Sequence, residues 1–138
     1  MTSLTIAKNN LVSLAAAGKV CTAFGVKICR GVEIVHIAKV AGYDSLFIDL
    51  EHTCMTLHDA SQICITAISA GVTPFVRVPH ECGLGFIQKT LDVGAMGVII
   101  PHIHGVSTLA NPASTYPARF LEMQGANRAQ RMPSAPSR

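Results

Sequence analysis

The segment Ser45-Leu46-Phe47-Ile48-Asp49-Leu50-Glu51-His52 sets the reading of the whole chain. Its first part is a short apolar run ending in the carboxylate of Asp49, and the next three positions bring the ionisable side chains of Glu51 and His52. A run this short, flanked by longer stretches of helical period, reads as a strand buried on both faces. Before it, residues 33–40 place Ile34, Val35, Ile37, Ala38 and Val40 as a buried helix that Gly42 terminates. After it, residues 56–70 carry Leu57, Ala60, Ile63, Ile65, Ala67 and Ile68 as a helix closed by Gly71.

The same alternation extends outward in both directions. Asn9 and Asn10 can cap a helix through Leu11, Leu14 and Ala17 that stops at Gly18, ahead of a strand over residues 20–28. Residues 74–78 and 97–100 read as strands, separated by a helix over residues 86–93 in which Ile87 and Leu91 stand one turn apart before Gly94. Strands therefore begin near residues 20, 45, 74 and 97, at spacings of 25, 29 and 23. Parallel strands need crossovers of this length, whereas hairpins do not.

These are βα units, compatible with an open doubly wound sheet or a closed barrel. Lys27 to Gly31 holds a single glycine, so no phosphate or dinucleotide cradle follows the first strand. The barrel is favoured, although a full one needs eight units and about 250 residues. The fold class expected is α/β, a parallel β/α (TIM-type) barrel truncated to about four βα units. Residues 1–104 form that partial barrel. Residues 105–138, broken by Pro112, Pro117, Pro133 and Pro136, form a divergent basic tail expected to be disordered.

Composition agrees with this division. The chain is 49% apolar and 14% charged, with a mean hydropathy of +0.40, as befits strands with two covered faces. Residues 1–104 hold seven basic and seven acidic side chains, so the net charge of +3 lies wholly in the tail, which carries four arginines and one acidic residue, Glu122. A nucleic-acid-binding face, which needs clustered basic groups on folded surface, is not expected. Five cysteines (Cys21, Cys29, Cys54, Cys64 and Cys82) make an odd set without a two-residue pair, and read as reduced thiols. Lys8 followed by the run from Leu11 to Ala17 is interrupted by Asn9, Asn10 and Ser13 and is too short for a signal peptide, and no stretch is long enough to span a membrane. A soluble cytoplasmic protein is expected.

Three strand ends carry polar groups where β/α proteins build their sites. Asp49, Glu51 and His52 end the second strand, and an imidazole beside a carboxylate suits a general base, or Asp49 merely caps the turn and His52 lies on the surface. Arg77 ends the third. A guanidinium in an apolar strand needs a partner, either a substrate carboxylate or enolate or an internal ion pair with Asp49 or Glu51, and the two can coexist. His102 and His104 follow the fourth, where alternate histidines can bind zinc although no third ligand stands at useful spacing. His36, His58 and His80 read as isolated, and Met55 and Met96 as core.

In order and spacing, these blocks resemble the HpcH/HpaI aldolase family, also called the 2-dehydro-3-deoxyglucarate aldolase type, over about residues 9–104. The resemblance is carried by Gly18-Lys19, Ala41-Gly42-Tyr43-Asp44, Phe47 to His52, Ala70-Gly71-Val72-Thr73-Pro74-Phe75-Val76-Arg77-Val78-Pro79, and Leu91-Asp92-Val93-Gly94-Ala95-Met96-Gly97-Val98-Ile99-Ile100-Pro101-His102. It implies a barrel enzyme that assembles into homo-oligomers and cleaves a 4-hydroxy-2-oxo acid to pyruvate or a related 2-oxo acid and an aldehyde. It further implies a divalent metal (Mg, Mn or Co) that stabilises the enolate. On this chain His52 would move the aldol proton, Asp49 would orient His52, and Arg77 would hold the carbonyl and enolate oxygens. The resemblance breaks after His102. The glutamate and aspartate that hold the family's metal on later strands have no counterpart, and Tyr116-Pro117 is the only trace of the usual aromatic-Pro-Pro turn. The other reading is therefore a non-catalytic remnant, or an interaction partner of a full-length homologue.

Overall fold

The computed structural model describes residues 7–80 and 82–102. Eight elements alternate in chain order: α1 (Asn10–Ala16), β1 (Ala23–Val26), α2 (Glu33–Val40), β2 (Ser45–Asp49), α3 (Leu57–Ala70), β3 (Thr73–Arg77), α4 (Leu84–Asp92) and β4 (Gly97–Ile99). The four strands are all parallel and lie side by side in the order β1-β2-β3-β4. A doubly wound sheet reverses its strand order at a switch point. None occurs among the described strands, and sequential order is what a barrel wall requires. The tail over residues 105–138 and His104 lie outside the described residues.

Local chemistry explains the boundaries. Asn9 caps α1 by accepting from the Val12 amide, while Asn10 lies inside the helix and does different work. Its amide donates to Thr73 Oγ1 at 2.7 Å, and its side-chain nitrogen donates to the carbonyls of Asp44 (2.9 Å) and Gly71 (3.0 Å). Asn9 Nδ2 reaches the Met96 carbonyl at 3.3 Å, so α1 is fastened across the N-terminal ends of β2, β3 and β4. Thr56 opens α3 with a reciprocal capping box: its hydroxyl accepts from the Asp59 amide, and the Asp59 carboxylate accepts from the Thr56 amide at 2.7 Å. Gly71 closes α3 at φ +72°, a left-handed conformation that a side chain would oppose.

β1 is shorter than the apolar run over residues 20–28. A strand persists only where it has a ladder partner, and β2 offers partners from Ser45 to Ile48, matched to Ala23 through Val26. Val20 and Ile28, beyond the ladder, are 85% and 84% exposed.

Alternation along β2 sends Leu46 and Ile48 to the helix-covered face, where they pack with Val35 and Ala38 of α2 and Ala60, Ile63, Cys64 and Ala67 of α3 in a fully buried core. A smaller cluster joins Val78, Ile87 and Val98 under α4. Met55 is buried in the main core, whereas Met96 is half-buried. The opposite face of the sheet therefore receives Phe47 and Asp49, with Phe75 and Arg77 as their in-register partners on β3.

Candidate functional site

Asp49 and Arg77 are ladder partners at the C-terminal ends of neighbouring strands, so their side chains rise side by side. The guanidinium grips the carboxylate with two parallel bonds, Nε to Oδ1 at 3.0 Å and Nη2 to Oδ2 at 2.7 Å. Asp49 is 4% exposed at its side chain and Arg77 24%. The ring of Phe47 lies 5.6 Å from the guanidinium carbon, adding a cation–π contact. Lys27, after β1, stands 3.9 Å from Oδ2.

The same carboxylate shapes the following loop. Asp49 Oδ1 accepts from the backbone amides of Glu51 (2.9 Å) and His52 (3.2 Å), which turns the chain immediately after β2. Arg77 and these two amides stabilise the ionised form strongly enough to outweigh burial, and the Asp49 carboxyl is held down at about 2. Asp49 is thus both a turn cap and half of an ion pair. It holds His52 by its backbone, and the imidazole itself faces another group.

That group is Glu51. Its side chain is only 6% exposed, and Oε2 lies 3.6 Å from His52 Nε2 and 3.3 Å from Arg77 Nε. Its other oxygen, Oε1, lies 3.1 Å from His102 Nε2, which comes from beyond β4. His52 and His102 are both more than half exposed, at 57% and 53%. His80 is not isolated, because its ring meets that of His102 edge-on with centroids 5.2 Å apart. His36 and His58 are exposed on helices.

The rim therefore collects Asp49, His52 and Arg77 as the sequence leads one to expect, and adds two groups. Glu51 carries the same alternation as Asp49, two residues on, but its burial depends on how the loop turns. His102 reaches it across β3, a contact that no local spacing announces.

A divalent metal needs converging donors, and one set exists among the described residues: Glu51, His52 and His102, whose ligating atoms all lie within 4.8 Å of one another. Magnesium and manganese prefer shells of oxygen. This set has two imidazoles and one carboxylate, and the neighbouring carboxylate of Asp49 is already engaged by a guanidinium. The described residues therefore do not fit a magnesium-type ion.

Parallel strands in sequential order, the first three each followed by a helix, with an arginine–aspartate fork and histidines at their C-terminal ends, have the arrangement of a β/α-barrel wall. Residues 31–128 match the model of the HpcH/HpaI aldolase/citrate lyase family, and the chain belongs to that family. It is 50% identical over 97 residues to a 4-hydroxy-4-methyl-2-oxoglutarate aldolase of Hapsidospora irregularis, and 50% identical over 96 residues to one of Chaetomium globosum. Each match covers 70% of this chain and 36% of the relative, so the chain spans about a third of the length of these curated relatives. The crystal structure of an HpcH/HpaI aldolase from Desulfitobacterium hafniense DCB-2 superposes with a TM-score of 0.70 at 28% identity, covering 80% of this chain and 43% of that one. The sheet is accordingly a run of consecutive units of a TIM-type barrel, in a family of metal-dependent aldolases.

Proposed function

We propose that this chain carries the proton-transfer and oxyanion-binding part of an aldolase site for 4-hydroxy-2-oxo acids. The observation that supports it is the fork of Arg77 on Asp49 at the strand ends, with the exposed imidazole of His52 on the adjoining loop. A guanidinium has five N–H donors. Asp49 engages Nε and Nη2, and the remaining donors are those assigned to the 2-oxo and enolate oxygens.

In the cleavage direction His52 would take the proton from the 4-hydroxyl. The bond between C3 and C4 then breaks, a carbonyl forms at C4, and the electron pair becomes the enolate of the 2-oxo acid. Protonation at C3 returns the balance. Arg77 would stabilise the oxygen on which charge develops, while Asp49 keeps the guanidinium in place and the His52 loop turned. The names of the two 50%-identical relatives support the substrate class. The family's metal-binding carboxylates are assigned to segments beyond the four described units, and with them the Lewis-acid part of the reaction.

The test is a pyruvate titration of the isotope-labelled chain with EDTA present, followed by NMR. The Arg77 Nε–H and His52 ring signals should move together and saturably, and Arg77→Lys should abolish the effect because an ammonium lacks the planar fork. The chain alone should release no pyruvate from a 4-hydroxy-2-oxo acid with magnesium present. Unmoved Arg77 and His52 signals would refute the assignment, and EDTA-sensitive turnover by the chain would refute its partial character.

A further inference from the structure

Glu51 is unusual among the rim residues. Its carboxylate is more than nine-tenths buried, yet Oε2 is the buried side-chain oxygen with no hydrogen-bond partner among the described residues. Arg77 Nε stands 3.3 Å away and supplies charge, but Arg77 already neutralises Asp49 through its fork. A buried carboxylate oxygen left without a directed bond is costly and demands a further cation. Two imidazole nitrogens also meet this carboxylate, His52 Nε2 at 3.6 Å from Oε2 and His102 Nε2 at 3.1 Å from the other oxygen, Oε1. Neutral imidazoles and a carboxylate facing one another are the donors of a borderline transition-metal ion.

We infer that Glu51, His52 and His102 form a binding site for a zinc-type divalent ion, distinct in donor set from the oxygen shell that magnesium takes. In a tetrahedral shell with bonds of about 2.1 Å, ligand atoms stand roughly 3.4 Å apart. The two oxygens of Glu51 stand at 3.1 Å (Oε1, from His102) and 3.6 Å (Oε2, from His52), each near that spacing. All three donor atoms lie within 4.8 Å of one another. Three protein ligands leave a fourth position for water or a small anion. Because the ion uses the Nε2 lone pair of His52, that nitrogen cannot also accept a proton, so occupation of this site excludes general-base work at Nε2. The inference does not depend on the aldol reading.

The experiment uses the full chain, stripped with a chelator and dialysed, without any oxo acid. Calorimetric titration with zinc should show a single ion per chain, and magnesium should give no comparable binding. Cobalt should produce visible d–d bands without the near-ultraviolet charge-transfer band of a thiolate, which separates this site from the five cysteines. His102→Ala, at a residue more than half exposed, should keep the circular dichroism of the native chain and weaken zinc binding on the order of a hundredfold. Glu51→Gln should weaken it comparably. Absence of zinc binding by the folded chain, affinity unmoved by His102→Ala, or a thiolate band would each overturn the inference.

Discussion

Arg77 sits where an isolated charge would be untenable, at the end of a strand whose four preceding residues are all buried. Its tolerance there is the work of Asp49, and the pair makes a pH prediction. The Asp49 carboxyl lies at about 2 in the fold against an ordinary 3.8. A depressed carboxyl stabilises the fold above its ordinary value, and that stability is lost as pH falls through the folded value. A depression of this size corresponds to roughly 2 kcal/mol. Acid titration of the unfolding free energy should therefore show a loss between about pH 4 and pH 2. Asp49→Asn should flatten that segment and destabilise the neutral protein by about 3 kcal/mol, because a half-buried guanidinium then loses its fork. An unchanged acid profile in the variant would place the loss elsewhere. Asp49, His52 and Arg77 were legible in the sequence because polar groups at the ends of apolar runs are conspicuous. Glu51 as the hub of two imidazoles was not, since its burial and its contact with His102 are made by the folded rim.

Among the elements, the helices were readable because periodicity and stops agree: Gly18, Gly42, Gly71 and Gly94, each expected to end a helix, all have positive φ. Strand ends were less readable. The apolar character of residues 20–28 describes what could be extended, while the length of β1 is decided by its partner β2. Asn10 shows a similar limit, since a residue suited to capping proves to be the tie between α1 and the sheet. The best-defined local device is the capping box of α3, the helix that supplies four buried residues to the core. Thr56→Ala removes the hydroxyl half of it and leaves the Asp59 amide without its side-chain acceptor. We expect a loss of about 1 kcal/mol, read as a lower denaturation midpoint with an unchanged slope. Thr56→Ser, which keeps the hydroxyl, should restore most of it.

At the scale of the molecule, β1 and β4 each have one strand neighbour among the described residues, and Val20, Ile28 and Val40 are exposed by 84% or more. Unpaired strand edges and exposed apolar groups favour association. Light scattering after size exclusion should give a mass above the 14.6 kDa of one chain, and a monodisperse monomer would show that these surfaces are tolerated in solution. The sequential strand order has another consequence. Ladder partners such as Ala23 and Ser45, Ser45 and Thr73, or Phe75 and Gly97 are separated by 22, 28 and 22 positions, so every pairing closes a loop of similar, modest size. A polypeptide emerging from the ribosome can therefore pair each new strand with the one made just before it, as the teeth of a zipper engage, without waiting for any distant segment.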